Sequence, residues 1–196
     1  MKKLFALLAL FPVAAFAQAI DPGTFELSGE TSLSFLSSSI DVKSGGATTS
    51  GDQQNWDLRG SGLYYVAPNI GVGATLSYQS ETLKADGIFD SKTSTFTVGP
   101  AVGVTFPVAP QVAVFGRGSI VYAENSMNFG FGDINTSGWG IGLEAGVKYF
   151  PVKAISLDAG VAFQYLSLTG DTSPTIDISS TGIGVNVGVS VYFGRL

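Results

Sequence analysis

This chain of 196 residues contains no cysteine and no histidine, and only 13% of it is Asp, Glu, Lys or Arg. Without cysteine there is no disulfide framework, no thiolate nucleophile and no thiolate metal ligand. Without histidine, the side chain that titrates near neutral pH is missing, and general acid–base chemistry and zinc sites lose their commonest group. Any activated serine or water would then depend on a lysine or carboxylate with a strongly displaced pKa. No catalytic residue, cofactor or metal site is expected. A water-soluble domain normally carries about 25% charged residues, well above the share found here. No run of about 18 apolar residues is present either, which excludes a helical membrane protein. The formal charge of −5 argues against nucleic-acid binding.

The first residues read as a secretory signal, expected to span 1–17. Lys2 and Lys3 supply the positive start, Leu4 to Phe11 a short apolar core, and Ala15-Phe16-Ala17 a small-x-small cleavage site. Cleavage after Ala19 is the alternative. The apolar stretch falls short of the roughly 20 residues that a spanning helix needs. Removing Lys2 and Lys3 takes the charge from −5 to −7 and leaves one domain, 18–196.

What the chain has in quantity is glycine, 26 residues, and aromatics, 12%, set in strict alternation with apolar residues. Trp139, Ile141, Leu143, Ala145, Val147 and Tyr149 form one ladder. Phe96, Val98, Pro100, Val102, Val104 and Phe106 form another, and Ile183, Val185, Val187, Val189, Val191 and Phe193 a third. The intervening residues are mostly Gly, Ser, Thr and Ala. A strand with lipid on one face and a polar lumen on the other has this pattern, with an aromatic anchor at each membrane interface. Five further ladders begin at Phe25, Trp56, Val72, Val112 and Ile155, which makes eight strands. Leu63, Tyr65, Phe115, Leu166 and Tyr192 fall on the inward face and break the alternation.

The connections alternate short and long. Segments 65–70, 106–111 and 150–155 are similar proline-containing turns, a weak repeat with a two-strand unit. Between them lie four polar, acidic loops, Ser37 to Gln54, Ser80 to Lys92, Glu124 to Thr136 and Gly170 to Ser179. Asn128 to Gly132 and Ile88-Phe89 place apolar residues there, as contact points or strand extensions. On this topology Phe35, Trp56, Tyr78, Phe96, Tyr122, Trp139 and Tyr165 fall at the loop end. Phe25, Tyr64, Phe106, Tyr149 and Phe193 fall at the turn end. Ten residues at about 3.3 Å rise, tilted by ~40°, span roughly 25 Å, the height of an apolar membrane band. A soluble lipocalin-like barrel would bury this apolar row and cover its other face with Lys and Glu. The second face here is instead small and weakly polar.

The inward charges are the one constellation left. Glu30, Arg59, Arg117 and Glu144 are expected near mid-height, with Glu26, Lys148 and Asp158 nearer the turns. Lys148 and Asp158 are almost equidistant from the turn between them and should face each other across the hairpin. In so narrow a lumen opposite charges should pair. The result is either a structural salt-bridge plug or a gated polar pathway.

On these ladders, turns and aromatic rows the chain resembles the small outer-membrane β-barrel family, the OmpA- and OmpX-like barrels of Gram-negative-type bacteria. The resemblance implies an all-β, eight-stranded, antiparallel up-and-down transmembrane barrel in the bacterial outer membrane. Enzymes built on such barrels rely on a histidine, which this chain lacks. The family's closing strand usually ends in an aromatic; Phe193 fits, although Gly194-Arg195-Leu196 extends past it. OmpA-like proteins also carry a peptidoglycan-binding domain, so the barrel-only members are the nearer likeness. The expected role is a monomeric, non-catalytic structural or surface-interaction protein displaying four loops. The alternative is a narrow, porin-like channel for small or hydrophobic solutes. Its expected partners are outer-membrane lipid, lipopolysaccharide and, through the loops, an extracellular protein or surface.

Overall fold

The computed structural model describes residues 19–33, 52–85, 89–128, 133–170 and 176–194. The expected signal segment 1–17 with its cleavage point, Phe35, and segments 34–51, 86–88, 129–132 and 171–175 lie outside the described residues, as does the side chain of Trp56.

Among the described residues eight strands follow one another without a helix: β1 (Phe25–Leu33), β2 (Asp52–Ala67), β3 (Ile70–Ala85), β4 (Phe89–Ala109), β5 (Val112–Asn128), β6 (Asp133–Val152), β7 (Ile155–Gly170) and β8 (Ile176–Phe193). Each pairs antiparallel with its chain neighbour, and β8 returns to β1 to close the barrel. The closing seam matches Phe25 with Phe193 and Ser28 with Ser190. Closure leaves no sheet edge, so every strand finds its hydrogen bonds within the barrel wall. Hydrocarbon demands that, because it offers an unpaired amide no partner.

The two-residue period settles which face is which. Val102 is 52% exposed while its neighbour Ala101 is 3%, and Val187 is 45% exposed beside Asn186 at 2%. Leucine, isoleucine and valine cover the outer wall, whereas Glu26, Glu30, Arg117, Glu144, Lys148 and Asp158 are buried inside. A soluble barrel has the inverse arrangement. The aromatics sort by height: Phe25 pairs with both Tyr64 and Phe193 at the turn end. At the loop end, Tyr78 pairs with Phe96 and Tyr122 with Trp139.

All three turns share one device. The register shifts between Tyr65 and Ala67, between Pro107 and Ala109, and between Tyr149 and Val152, so each hairpin closes through a bulge. The strands also run further at the loop end than the hydrophobic ladders do. β3 and β4 stay paired up to Ala85 and Phe89, and β5 and β6 up to Asn128 and Asp133. The apolar period stops at the membrane boundary, but backbone pairing continues through the polar Ser, Thr and Asn residues beyond it.

Candidate functional site: the lumen

Alternation sends every second side chain into the barrel, so the lumen is built in layers that follow the strand register. At the turn end, Ile20, Leu63, Tyr65, Ala101, Ala113, Phe150 and Tyr192 form a buried apolar layer. Ile20, ahead of β1, is seated there by reciprocal bonds with the β2–β3 turn. Its N–H donates to Asn69 Oδ1 at 2.9 Å and its carbonyl accepts from the Asn69 N–H at 3.0 Å. Asn69 adopts φ of 64°, a left-handed conformation that asparagine tolerates better than most residues.

Above this layer sit the charges. Lys148 and Asp158 are register partners, and Lys148 Nζ lies 2.8 Å from Asp158 Oδ2 and 3.0 Å from Glu26 Oε1. Lys148 also donates to Ser190 Oγ at 3.0 Å, and Ser190 in turn donates to Asp158. Ser156 Oγ donates to the other Asp158 oxygen at 2.6 Å. The Tyr65 hydroxyl donates to Glu26 Oε2 at 2.5 Å, which ties the apolar layer to the charged one. One level higher, Arg117 Nη1 donates to Glu30 Oε1 at 2.7 Å and to Glu144 Oε2 at 3.0 Å. Its Nη2 stands 3.6 Å from Glu26 Oε1, so Glu26 links the two cations. Asn186 Nδ2 donates to the second Glu144 oxygen at 3.0 Å.

Phe115 supplies a floor for both cations. Its ring centre lies 4.8 Å from Lys148 Nζ and 5.7 Å from the Arg117 guanidinium carbon, in cation–π range. Gly146 makes room for that ring: a Cβ there would come within 2.8 Å of it and 2.2 Å of the Ala159 carbonyl oxygen.

Of the residues expected in the lumen, Glu26, Glu30, Arg117, Glu144, Lys148 and Asp158 are joined in one network, and Arg59 is not. Arg59 is the register partner of Glu30. Its guanidinium nonetheless lies 3.8 Å from Asp57, on the loop side, and stays partly exposed. The network thus sets four carboxylates against two cations, a formal excess of two negative charges. Glu30 Oε2, Arg117 Nε and Asn186 Oδ1 are buried without a hydrogen-bond partner among the described residues. Two polar cavities of about 60 and 30 Å³ lie next to the network, and both are lined by Arg59 and Gln164. They are large enough for water and little else. Val121, Ala123, Leu166 and Leu168 form a second apolar cluster toward the loop end.

Nothing in the sequence pattern assigns Ser156, Ser190 and Asn186 to the network or Ile20 to the apolar layer, and Tyr65 and Tyr192 face inward there without a role. The inward positions were readable from the two-residue period. That these hydroxyls and amides would meet particular charges was not.

A family model for the outer membrane protein β-barrel domain matches residues 4–193. The chain belongs to that family. Among solved members of the fold, Neisserial surface protein A is 17% identical, with a TM-score of 0.57 over 90% of this chain and 99% of that one. The outer membrane protein OprG of Pseudomonas aeruginosa is 12% identical, with a TM-score of 0.61 over 91% of this chain and 100% of that one. The N-terminal β-barrel domain of OprF from the same organism is 11% identical, with a TM-score of 0.53 over 90% and 100% of the two chains. At such identities the likeness is one of fold. No curated protein matches.

Proposed function

We propose that this outer-membrane barrel is non-catalytic and works at the cell surface, with a closed lumen that serves as the rigid support for four loop segments. The observation that carries this reading is the network around Arg117 and Lys148, whose side chains are 5% and 1% exposed. It stands above an apolar layer that is itself buried. Two desolvated cations and four carboxylates held by hydroxyls, an amide and a ring favour a rigid plug over a path, since moving any member uncovers an unpaired charge. On this reading an N-terminal signal, residues 1–17, directs export. The partners are outer-membrane lipid, lipopolysaccharide and an extracellular surface or protein met by the loops.

A narrow channel is the second reading, and the polar cavities beside Arg59 are what favour it. Single-channel recording of the full chain, refolded into planar bilayers, separates the two. A closed plug gives a silent trace. Steady, ion-selective openings in the wild-type protein would make conduction the leading function.

A further inference from the structure

Of the six asparagines in the chain, Asn135 is the one followed two residues later by a serine or threonine. It stands in Asp133-Ile134-Asn135-Thr136-Ser137, an Asn-x-Ser acceptor sequence with a carboxylate two residues ahead of the asparagine. The bare three-residue pattern recurs by chance in chains rich in serine and threonine, so its place in the fold decides its use. The segment lies on β6 where the strand runs past the aromatic belt. Trp139 stands four residues further along, so Asn135 sits roughly 10 Å beyond the belt on the loop side, allowing for strand tilt. The two-residue period sets Asn135 and Ser137 on the outer face, both exposed, and turns Thr136 into the barrel, where it is buried. Asn135 opens on a groove of about 550 Å³ beside Glu124, Ser126 and Ser137. A group joined to its side chain therefore points away from both the lumen and the hydrocarbon.

We infer that Asn135 is the acceptor for an asparagine-linked glycan, delivered as a saccharide on a polyisoprenyl pyrophosphate. In the transfer, the Asn135 amide nitrogen bonds to the anomeric carbon of the first sugar. The bond from that carbon to the pyrophosphate oxygen breaks, the lipid pyrophosphate leaves with the electron pair, and the amide gives one proton to a base on the transferase. An amide nitrogen is a weak nucleophile because its lone pair is shared with its carbonyl, so a transferase must grip the chain around it and bend it. Ser137 offers a hydroxyl for that grip and Asp133 a carboxylate. The folded strand forbids the bend, since Asn135 pairs with Ser126, and Thr136 with Asn125 on one side and Gly170 on the other. Transfer therefore precedes strand pairing, on the unfolded chain in transit, and folding then carries the glycan to the outer face. The inference rests on the export proposed above and is independent of whether the lumen conducts.

The test has two arms. In the first, the full chain is expressed in cells holding a bacterial oligosaccharyltransferase and its lipid-pyrophosphate-linked oligosaccharide, beside a periplasmic carrier that accepts the glycan as a control. The intact mass of the purified barrel should show a single added glycan, and peptide mapping should place it on Asn135. Asn135→Gln and Ser137→Ala should abolish the added mass, and Ser137→Thr should keep it. Asp133→Ala should lower the modified fraction roughly tenfold, the worth of one hydrogen bond to a charged group. Heat-modified gel mobility checks that each variant folds. In the second arm, purified transferase acts on the full chain either held unfolded in dilute urea or already folded in detergent, which removes any dependence on export. The unfolded chain should be modified and the folded one spared. An unmodified chain in both arms beside a modified control, a glycan on another residue, added mass that survives Ser137→Ala, or equal modification of folded and unfolded chain would overturn the inference. Modification in urea without modification in cells would uphold the acceptor site and count against the export reading.

Discussion

Glu30 and Arg59 stand directly opposite each other on β1 and β2, yet the Glu30 carboxylate accepts from Arg117, 87 residues away, at 2.7 Å. Arg59 turns instead toward Asp57, at 3.8 Å and partly exposed. The longer-range partner prevails because Arg117 reaches Glu30, Glu144 and Glu26 at once from the buried centre of the lumen.

The two arginines should therefore differ in worth. Arg117→Ala leaves buried carboxylates without a cation and should cost about 3–5 kcal/mol. Arg59→Ala removes a loose, water-accessible pair and should cost roughly 1 kcal/mol or less. Equilibrium urea unfolding in detergent or lipid, read by tryptophan emission, measures both. Comparable losses would mean that Arg59 belongs to the network after all.

Arg117→Ala should also open a path. Deleting the side chain empties space beside the existing polar cavities and raises the formal excess of carboxylates over cations in the network. Any conductance that appears should select for cations. Reversal potentials under a KCl gradient check the sign, and anion preference would contradict the charge arrangement.

Tyr65 joins the apolar layer to the charges through its hydrogen bond to Glu26. Tyr65→Phe keeps the ring and deletes the donor, so the expected loss is about 1.5–3 kcal/mol, typical of a bond to a charged group. Asn69 offers a companion measurement. Asn69→Gly keeps the left-handed backbone and loses the side-chain bond from the Ile20 N–H, whereas Asn69→Ala also strains the backbone by about 1–2 kcal/mol. Alanine should be the more damaging of the two in the same unfolding assay.

The outer wall and the lumen should respond oppositely to polarity. Val102→Arg or Val187→Arg places a charge in mid-membrane and should cost roughly 2–4 kcal/mol. Ala101→Ser, facing inward one residue away, should cost far less. Folding yield into bilayers of defined thickness and the unfolding midpoint both report the difference. Equal losses at Val102 and Ala101 would contradict the assigned faces.

Orientation is tested in cells. A peptide tag inserted at Gly45, in the segment joining β1 to β2, should bind antibody on intact cells, while the same tag in the Pro68–Asn69 turn should not. The reverse result, with the barrel folded, would place the turns outside.

The two-residue period by itself determined the strand count, the lipid-facing rows and the sorting of aromatics. All are local properties of one strand or hairpin, and a slip of one residue would have turned every side chain to the wrong face. The Lys148–Asp158 pairing was legible for the same reason, because a short turn fixes the register of the strands it joins. Only the tertiary structure decided which charges meet across the lumen. Closing eight strands into a barrel staggers them, and that stagger brings Arg117 to Glu30 and leaves Arg59 with Asp57. The seating of Ile20 against the β2–β3 turn is likewise decided in three dimensions. The contacts of Arg117 with Glu30 and of Ile20 with Asn69 join residues 87 and 49 apart in sequence, and no alternation within a single strand records them.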